Sequence, residues 1–207
     1  MLELKSNKYE GKNKEELINK ALNELNASND EVYISTKEEV SGSLFKSKKY
    51  ILKVVLKQEV IEYVKSYLKE LTDMMGLSAQ FEVQKRENYI KVNIISDNSS
   101  ILIGKNGRTL NAMQDLLKQT LQVKVGVNIN VIIDANEYRE KKQKNIERLA
   151  IKLAKEVRKT KVDVKMDSMN SFERRLVHNA LTNFKGVSTI SEGEEPNRYV
   201  IIKSMEE

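Results

Sequence analysis

Residues 101–114 of this 207-residue chain read ILIGKNGRTLNAMQ. Two glycines enclose a lysine and an asparagine, and an arginine follows, which gives the candidate binding residues Gly104, Lys105, Asn106, Gly107 and Arg108. Because glycine has no Cβ, the backbone of such a turn can approach a phosphate closely. A helix that begins near Gly107 would add unpaired amides and the positive end of its dipole. The stretch therefore predicts an anion-binding turn between two helices.

Two other interpretations of this turn have to be weighed. A nucleotide-binding P-loop requires glycine where Ser99 stands and serine or threonine where Asn106 stands, so it is excluded. An ordinary helix–helix turn stays open, because the GxxG tetrapeptide is common. The neighbouring elements must decide between that turn and a binding loop.

Around the turn, the pattern predicts a small α/β module over residues 58–136. Val60 to Met75 carry apolar residues at helical spacing, and Gly76 ends that helix. Strands are predicted at about 79–84 and 89–95 before the turn and at 128–133 after it. The order α-β-β-α-α-β with a GxxG turn resembles a KH domain, which implies a loop that clamps about four nucleotides of single-stranded RNA.

The segment 137–207 holds the second motif, on a predicted helix. Arg174 and His178 are four residues apart and therefore face the same way, with Arg175 beside them. Arginine suits phosphates because its planar fork donates two hydrogen bonds. An amphipathic helix with a structural histidine is the plainer alternative. The stretches MNSFERRLVH and SEGEEPNRYV resemble the R-3-H (Arg-x-x-x-His) domain, a binder of single-stranded nucleic acid built from helices on a small sheet, and Arg198 could reach the same surface.

The first segment, residues 1–57, predicts a β-α-β-β unit. Leu2 and Leu4 alternate with charged residues, and Asn13 can cap a helix that has Glu16 three residues on. Further strands are expected at Val32 and from Tyr50, with the stretch SGSLFKSKK between them as a loop or hairpin.

Composition excludes several function classes. The chain has no Cys and one His, so thiol catalysis, zinc–thiolate sites and histidine-rich metal sites are ruled out. No apolar run approaches the roughly 20 residues that span a bilayer, so we expect no membrane insertion and a soluble, cytoplasmic protein. The net charge is +6, and residues 139–175 alone hold 13 Lys and Arg against six Asp and Glu, a net +7. A polyanionic partner is therefore expected near Arg174.

Taken whole, the chain resembles the Jag family, also called SpoIIIJ-associated or KhpB proteins. The resemblance implies an α+β protein of three modules (1–57 Jag N-terminal, 58–136 KH, 137–207 R-3-H). It also implies a bacterial RNA-binding regulator of cell elongation, envelope growth or division, working with a small KH-domain partner. The stretch SGSLFKSKK departs from the family's Gly-rich, Lys-containing stretch, since Gly42 is its only glycine.

Three hypotheses follow. The first is a binder of single-stranded RNA, with single-stranded DNA left open, that has no cofactor and no catalytic residues. The alternative is a protein-interaction scaffold whose KH domain mainly dimerises, so a homodimer is also left open. The third, a metal-dependent nuclease built on Asp163, Asp167 and Glu173, is disfavoured because their spacing matches no ligand pattern.

Overall fold

The computed structural model describes residues 3–41, 47–86 and 89–205, and the chain divides into two compact units, Met1–Asn136 and Glu137–Glu207. The predicted fold class is confirmed: helices alternate with three small sheets in the part of the chain that is described. No helix in that part is long and apolar enough to cross a bilayer.

The N-terminal part of the first unit is a β-α-β-β arrangement. Its elements are β1 (Asn7–Gly11), α1 (Lys14–Glu24), β2 (Val32–Ser41) and β3 (Ser47–Leu56), and β3 pairs antiparallel with both other strands. Asn13 caps α1 by accepting hydrogen bonds from the amides of Glu15 and Glu16, as its position predicts. Leu17 and Ala21 of α1 pack on the sheet. The central residues of SGSLFKSKK, 42–46, lie outside the described residues.

The first strand lies later than the alternation of Leu2 and Leu4 predicts. Pairing with β3 fixes β1 at Asn7–Gly11, because Asn7 faces Val54 and Gly11 faces Tyr50. Leu4 is buried but lies outside the strand. The alternating pattern therefore marked a buried apolar residue, Leu4, but not a strand that pairs with β3.

The rest of the first unit has the predicted order α-β-β-α-α-β. The elements are α2 (Lys57–Met74), β4 (Gln80–Lys85), β5 (Ile90–Ile95), α3 (Ser99–Ile103), α4 (Arg108–Val125) and β6 (Val131–Ala135). β4 and β5 are antiparallel, whereas β6 pairs parallel with β5. A parallel pair needs a crossover, which α3 and α4 supply. The Gly104–Gly107 turn is therefore the corner of that crossover.

The N-terminal sheet is docked against the end of α4. Ser35 Oγ donates to the Gly126 carbonyl at 3.0 Å, and the Lys53 ammonium donates to the Lys124 carbonyl. These bonds satisfy carbonyls that the helix end leaves without an intrahelical donor. Burial lowers the pKa of Lys53, and the positive charges of Lys8 and Lys124 lower it further.

The second unit packs two helices on one sheet. Its elements are α5 (Tyr138–Thr160), β7 (Val164–Lys165), α6 (Ser171–Leu181), β8 (Val187–Glu192) and β9 (Tyr199–Ser204), with β9 in the middle of the order β7-β9-β8. The core joins Ala154 and Val157 of α5, Val177 of α6, and Val200 and Ile202 of β9. The helix predicted to reach Phe184 ends at Leu181, and a turn closed by the Phe184 amide follows.

Candidate nucleic-acid interface

The turn after α3 is held open by three residues with positive φ. Gly104 has φ 67° and ψ −177°, Asn106 has φ 57°, and Gly107 has φ 85°. The Gly104 conformation is essentially restricted to glycine. Asn106 occupies the left-handed region, which asparagine tolerates better than most residues. The sequence Gly-Lys-Asn-Gly is thus the composition that this backbone path needs.

The turn presents positive charge to solvent, and neither the turn nor the first turn of α4 contains an acidic residue. The side chains of Lys105, Asn106 and Arg108 are exposed, and Gly107 is buried. The N-terminus of α4 carries no side-chain cap and no acidic residue in its first turn. The Arg108 amide donates to the Lys105 carbonyl, so an anion would meet the α4 amides that follow Arg108, with the two cations beside them. This arrangement suits a phosphodiester backbone.

The exposed apolar surface next to the turn lies on α3 and not on the apolar stripe of α4. The stripe Leu110, Met113 and Leu117 of α4 is buried in the core and cannot serve as a floor for bases. The exposed apolar side chain nearest in sequence is Ile101 of α3, which is 52% exposed. Any base beside the turn would contact α3 in place of that stripe.

In the second unit, Arg174 is engaged within the domain. It is 8% exposed, and its Nη1 donates to the Met169 carbonyl at 2.9 Å and to Glu195 Oε1 at 2.8 Å. The guanidinium therefore holds the turn between β8 and β9 against the start of α6. Both of these bonds use Nη1, so the guanidinium serves an internal structural role through that nitrogen.

His178 is likewise bound on both sides of its ring. Nδ1 lies 2.6 Å from Thr189 Oγ1, and Nε2 lies 2.8 Å from Ser191 Oγ. Burial lowers the pKa of His178, and the nearby Arg174 charge lowers it further. The ring is therefore neutral at pH 7 and joins α6 to β8. Sequence reasoning missed Thr189, Ser191 and Glu195, although all three lie in or beside the SEGEEPN stretch.

Arg175 is the accessible arginine of this region, and Arg198 is half-buried. Arg175 is exposed and has no hydrogen-bond or ion-pair partner in the part of the chain that is described. The Arg198 carbonyl accepts from the Met169 amide, so Arg198 does lie beside the start of α6. Its Nε is buried without a hydrogen-bond partner among the described residues. Arg175 can therefore accept a new anionic partner as it stands, whereas the Nε of Arg198 faces the protein interior.

Two of the three carboxylates considered for a nuclease, Asp163 and Glu173, serve structural roles. Asp163 accepts the Ser204 amide at 2.8 Å, and Glu173 accepts the Asn170 amide and pairs with Lys142. Among the residues described, no group of three or more His, Asp or Glu side chains could hold a metal ion. The geometry therefore gives no support to metal-dependent hydrolysis.

Because His178 is the only histidine, its contribution to the pH dependence of stability can be measured separately from that of other groups. Its folded pKa lies below the ordinary value of about 6.5, so the unfolded chain takes up the proton first as pH falls. Stability is expected to decline as pH drops through about 6.5, and this part of the decline should vanish in His178→Gln. Urea unfolding at pH 7.5 and 5.5 measures it. An equal loss of stability between pH 7.5 and pH 5.5 in the wild-type chain and in His178→Gln would contradict this role of His178.

Three family models match the chain. They are the Jag N-terminus over residues 9–56, the KhpA/KhpB KH domain over 61–133, and the R-3-H domain over 144–204. A protein of Bacillus subtilis (strain 168) named RNA-binding protein KhpB is 34% identical over 197 residues, 93% of this chain and 95% of the relative. A protein of that name from Clostridium symbiosum is 35% identical over 192 residues, 91% of this chain and 86% of the relative.

The chain belongs to the KhpB family. The resemblance to this family that the sequence motifs carry is confirmed, and with it the presence of KH and R-3-H domains. The KhpB relatives are named as RNA-binding proteins and not as enzymes. The Gly104–Arg108 turn lies within the matched KH domain, and Arg174, Arg175, His178 and Arg198 lie within the matched R-3-H domain.

Proposed function

We propose that this chain binds single-stranded RNA without catalysis, through the Gly104–Arg108 turn and the R-3-H surface. The observation that carries the proposal is the turn itself. It combines two exposed cations with the uncapped amides of α4, in a KH domain of a chain whose relatives are named for RNA binding. Backbone phosphates would lie on the turn, and bases would lie against α3 beside Ile101.

Within the R-3-H domain, we assign the phosphate contacts to individual arginines according to the hydrogen bonds that they already make. Arg175, which is exposed, supplies a phosphate contact directly, and Arg198, beside the start of α6, supplies a second one. Arg174 and His178 position that surface, because both join α6 to the β8–β9 region.

Salt dependence tests this assignment. Each phosphate contact to a single strand adds a slope of about −0.7 to log affinity against log salt. Arg175→Gln is expected to make the slope shallower by about 0.7 and to lower affinity several-fold, since it removes one phosphate contact. Fluorescence anisotropy with a labelled oligouridylate over a series of salt concentrations measures both quantities.

The control for this experiment is Arg148→Gln. Arg148 is an exposed arginine of α5, so the variant loses the same formal charge from the same domain. It should change the slope far less than Arg175→Gln. Equal effects of the two variants would show that only the overall charge matters, and an unchanged slope in Arg175→Gln would remove Arg175 from the interface.

A second candidate function, self-association through the KH domain, is favoured by α4. Its solvent face carries the apolar residues Ala112, Leu116 and Val123, of which Leu116 is 50% and Val123 81% exposed. Their spacing of four and seven residues forms one stripe. A homodimer or a small KH-domain partner would cover it. Light scattering of the purified chain, with and without RNA, distinguishes a dimer from a monomeric binder.

We also propose that the chain acts in the cytoplasm as a post-transcriptional regulator of cell elongation, envelope growth or division. Family membership supports this role, because the resemblance to the Jag family implies it. Crosslinking in cells followed by sequencing of the bound RNA tests it. Enrichment of transcripts for envelope and division proteins is expected, whereas recovery of no specific RNA would contradict a regulatory role.

A further inference from the structure

One face of the second unit's sheet is not covered by that unit's helices. Val187, Val200 and Ile202 point to the core shared with α5 and α6. Because side chains alternate along a strand, Tyr199, Ile201 and Lys203 of β9 point to the opposite side. The register puts Ile190 across from Ile201, Ser188 across from Lys203, and Lys165 across from Ile201. Glu192, across from Tyr199, lies on the same side. Seven residues therefore define the open face: Lys165, Ser188, Ile190, Glu192, Tyr199, Ile201 and Lys203.

The open face combines an aromatic ring, apolar neighbours and cations. The Lys165 ammonium lies 3.9 Å from the centroid of the Tyr199 ring. Ile190 is 41% exposed, and Tyr199 and Ile201 are both partly exposed. A flat apolar ring with amines beside it is the composition of surfaces that stack unpaired bases and hold the neighbouring phosphates.

The charges on this face favour a polyanion over an acidic or neutral protein surface. Lys165 stands over the ring, and Glu192, across from Tyr199, is paired with Lys203 at 3.8 Å, so the face carries two lysines and one acid, a net charge of +1. The unit as a whole, residues 137–207, holds 16 Lys and Arg against 12 Asp and Glu, a net charge of +4. Since Lys165 is exposed and flexible, its ammonium can leave the ring for a phosphate when a base takes its place.

We infer that the open face is a second contact surface for single-stranded RNA, in which a base stacks on Tyr199 and Lys165 binds an adjacent phosphate. It is separate from the Arg175 and Arg198 region, which lies on the α6 side of the sheet. The inference rests on the proposed function, because it concerns the same class of ligand.

The test uses the absence of tryptophan from this chain. Tyr199→Trp introduces a single indole that can still stack, and its emission is expected to be quenched saturably by an oligouridylate. Tyr199→Leu keeps an apolar side chain without a π-face and should weaken binding between about fivefold and a hundredfold. Lys165→Gln should weaken it several-fold and make the salt slope shallower by about 0.7.

Tyr138 offers a matched control. It lies in the same unit and also has a lysine over its ring, with Lys142 Nζ 5.7 Å from the centroid. Tyr138→Trp should show no saturable quenching, and Tyr138→Leu should leave affinity unchanged. If Tyr199→Leu fails to fold, quenching of Tyr199→Trp decides the matter.

The outcomes separate this inference from the proposed function. No binding of the oligouridylate by the wild-type chain would overturn both. Suppose that the wild-type chain binds normally, Tyr199→Trp shows no quenching and Lys165→Gln has unchanged affinity. This result would overturn the inference that the open face binds RNA, but not the proposed function. That face would then be left for a protein partner.

Discussion

Replacing Lys105 and Asn106 together by Asp is expected to weaken binding of single-stranded RNA at least tenfold while leaving the fold intact. The change removes one cation and adds two anions beside the amides of α4, where the phosphates would lie. A hydrogen bond to a charged group contributes about 1.5–3 kcal/mol, so the loss of one such contact already accounts for about a factor of ten. Anisotropy titration measures the affinity, and circular dichroism the fold.

The fold should survive because both side chains are exposed and position 106 is left-handed. Aspartate tolerates that conformation better than most residues. The chain contains the same dipeptide at Lys12 and Asn13, which is also exposed. Lys12→Asp with Asn13→Asp makes the same charge change, and Asp still caps α1. Equal weakening by both double variants would mean that net charge alone determines affinity and would contradict a binding role for the turn.

Gly104→Ala is expected to cause the largest loss of stability among single substitutions in the turn, about 2–4 kcal/mol. A Cβ at this position would clash with Thr109 Oγ1 and lie 3.1 Å from the Thr109 backbone nitrogen, at φ +67°. The side chain of Thr109 can rotate away, but its backbone cannot, because it belongs to the first turn of α4. Chemical denaturation measures the loss.

Gly76→Ala separates backbone strain from the clash. Gly76 also has a positive φ, +70°, but an added Cβ would meet nothing within 4 Å. This variant should cost only about 1 kcal/mol, the usual penalty for a left-handed non-glycine residue. If the two variants lost equal stability, the close approach between Gly104 and Thr109 would not contribute to the cost of the substitution. That result would contradict tight packing at this turn.

Sequence patterns predicted the elements around the turn well, because their signals are local. Helical spacing from Val60 to Met75 and the glycines at 76, 104 and 107 mark chain reversals that depend on few distant residues. Strand bounds were less accurate: β6 is Val131–Ala135, whereas its apolar run suggested 128–133. Pairing with β5 decides those bounds, and pairing is a tertiary property.

The roles of individual side chains were harder to predict. Four-residue spacing correctly placed Arg174 and His178 on one helix, but it could not reveal that Glu195, 21 residues away, pairs with the guanidinium. Nor could it show that Thr189 and Ser191 bind both ring nitrogens of His178. Such partners depend on how the β8–β9 turn folds back onto α6. The motif residues Arg174 and His178 consequently have internal partners, while Arg175 stays exposed.

The central claim, binding of single-stranded RNA, is tested most directly by comparing a single strand with a duplex of equal length. A strand of about twelve nucleotides exceeds the four or so that one KH turn holds. The wild-type chain should bind the single strand at least tenfold more tightly than the duplex near physiological salt, because stacked and paired bases cannot reach α3 or Tyr199. Equal affinity for both, or no binding of the single strand, would contradict the claim.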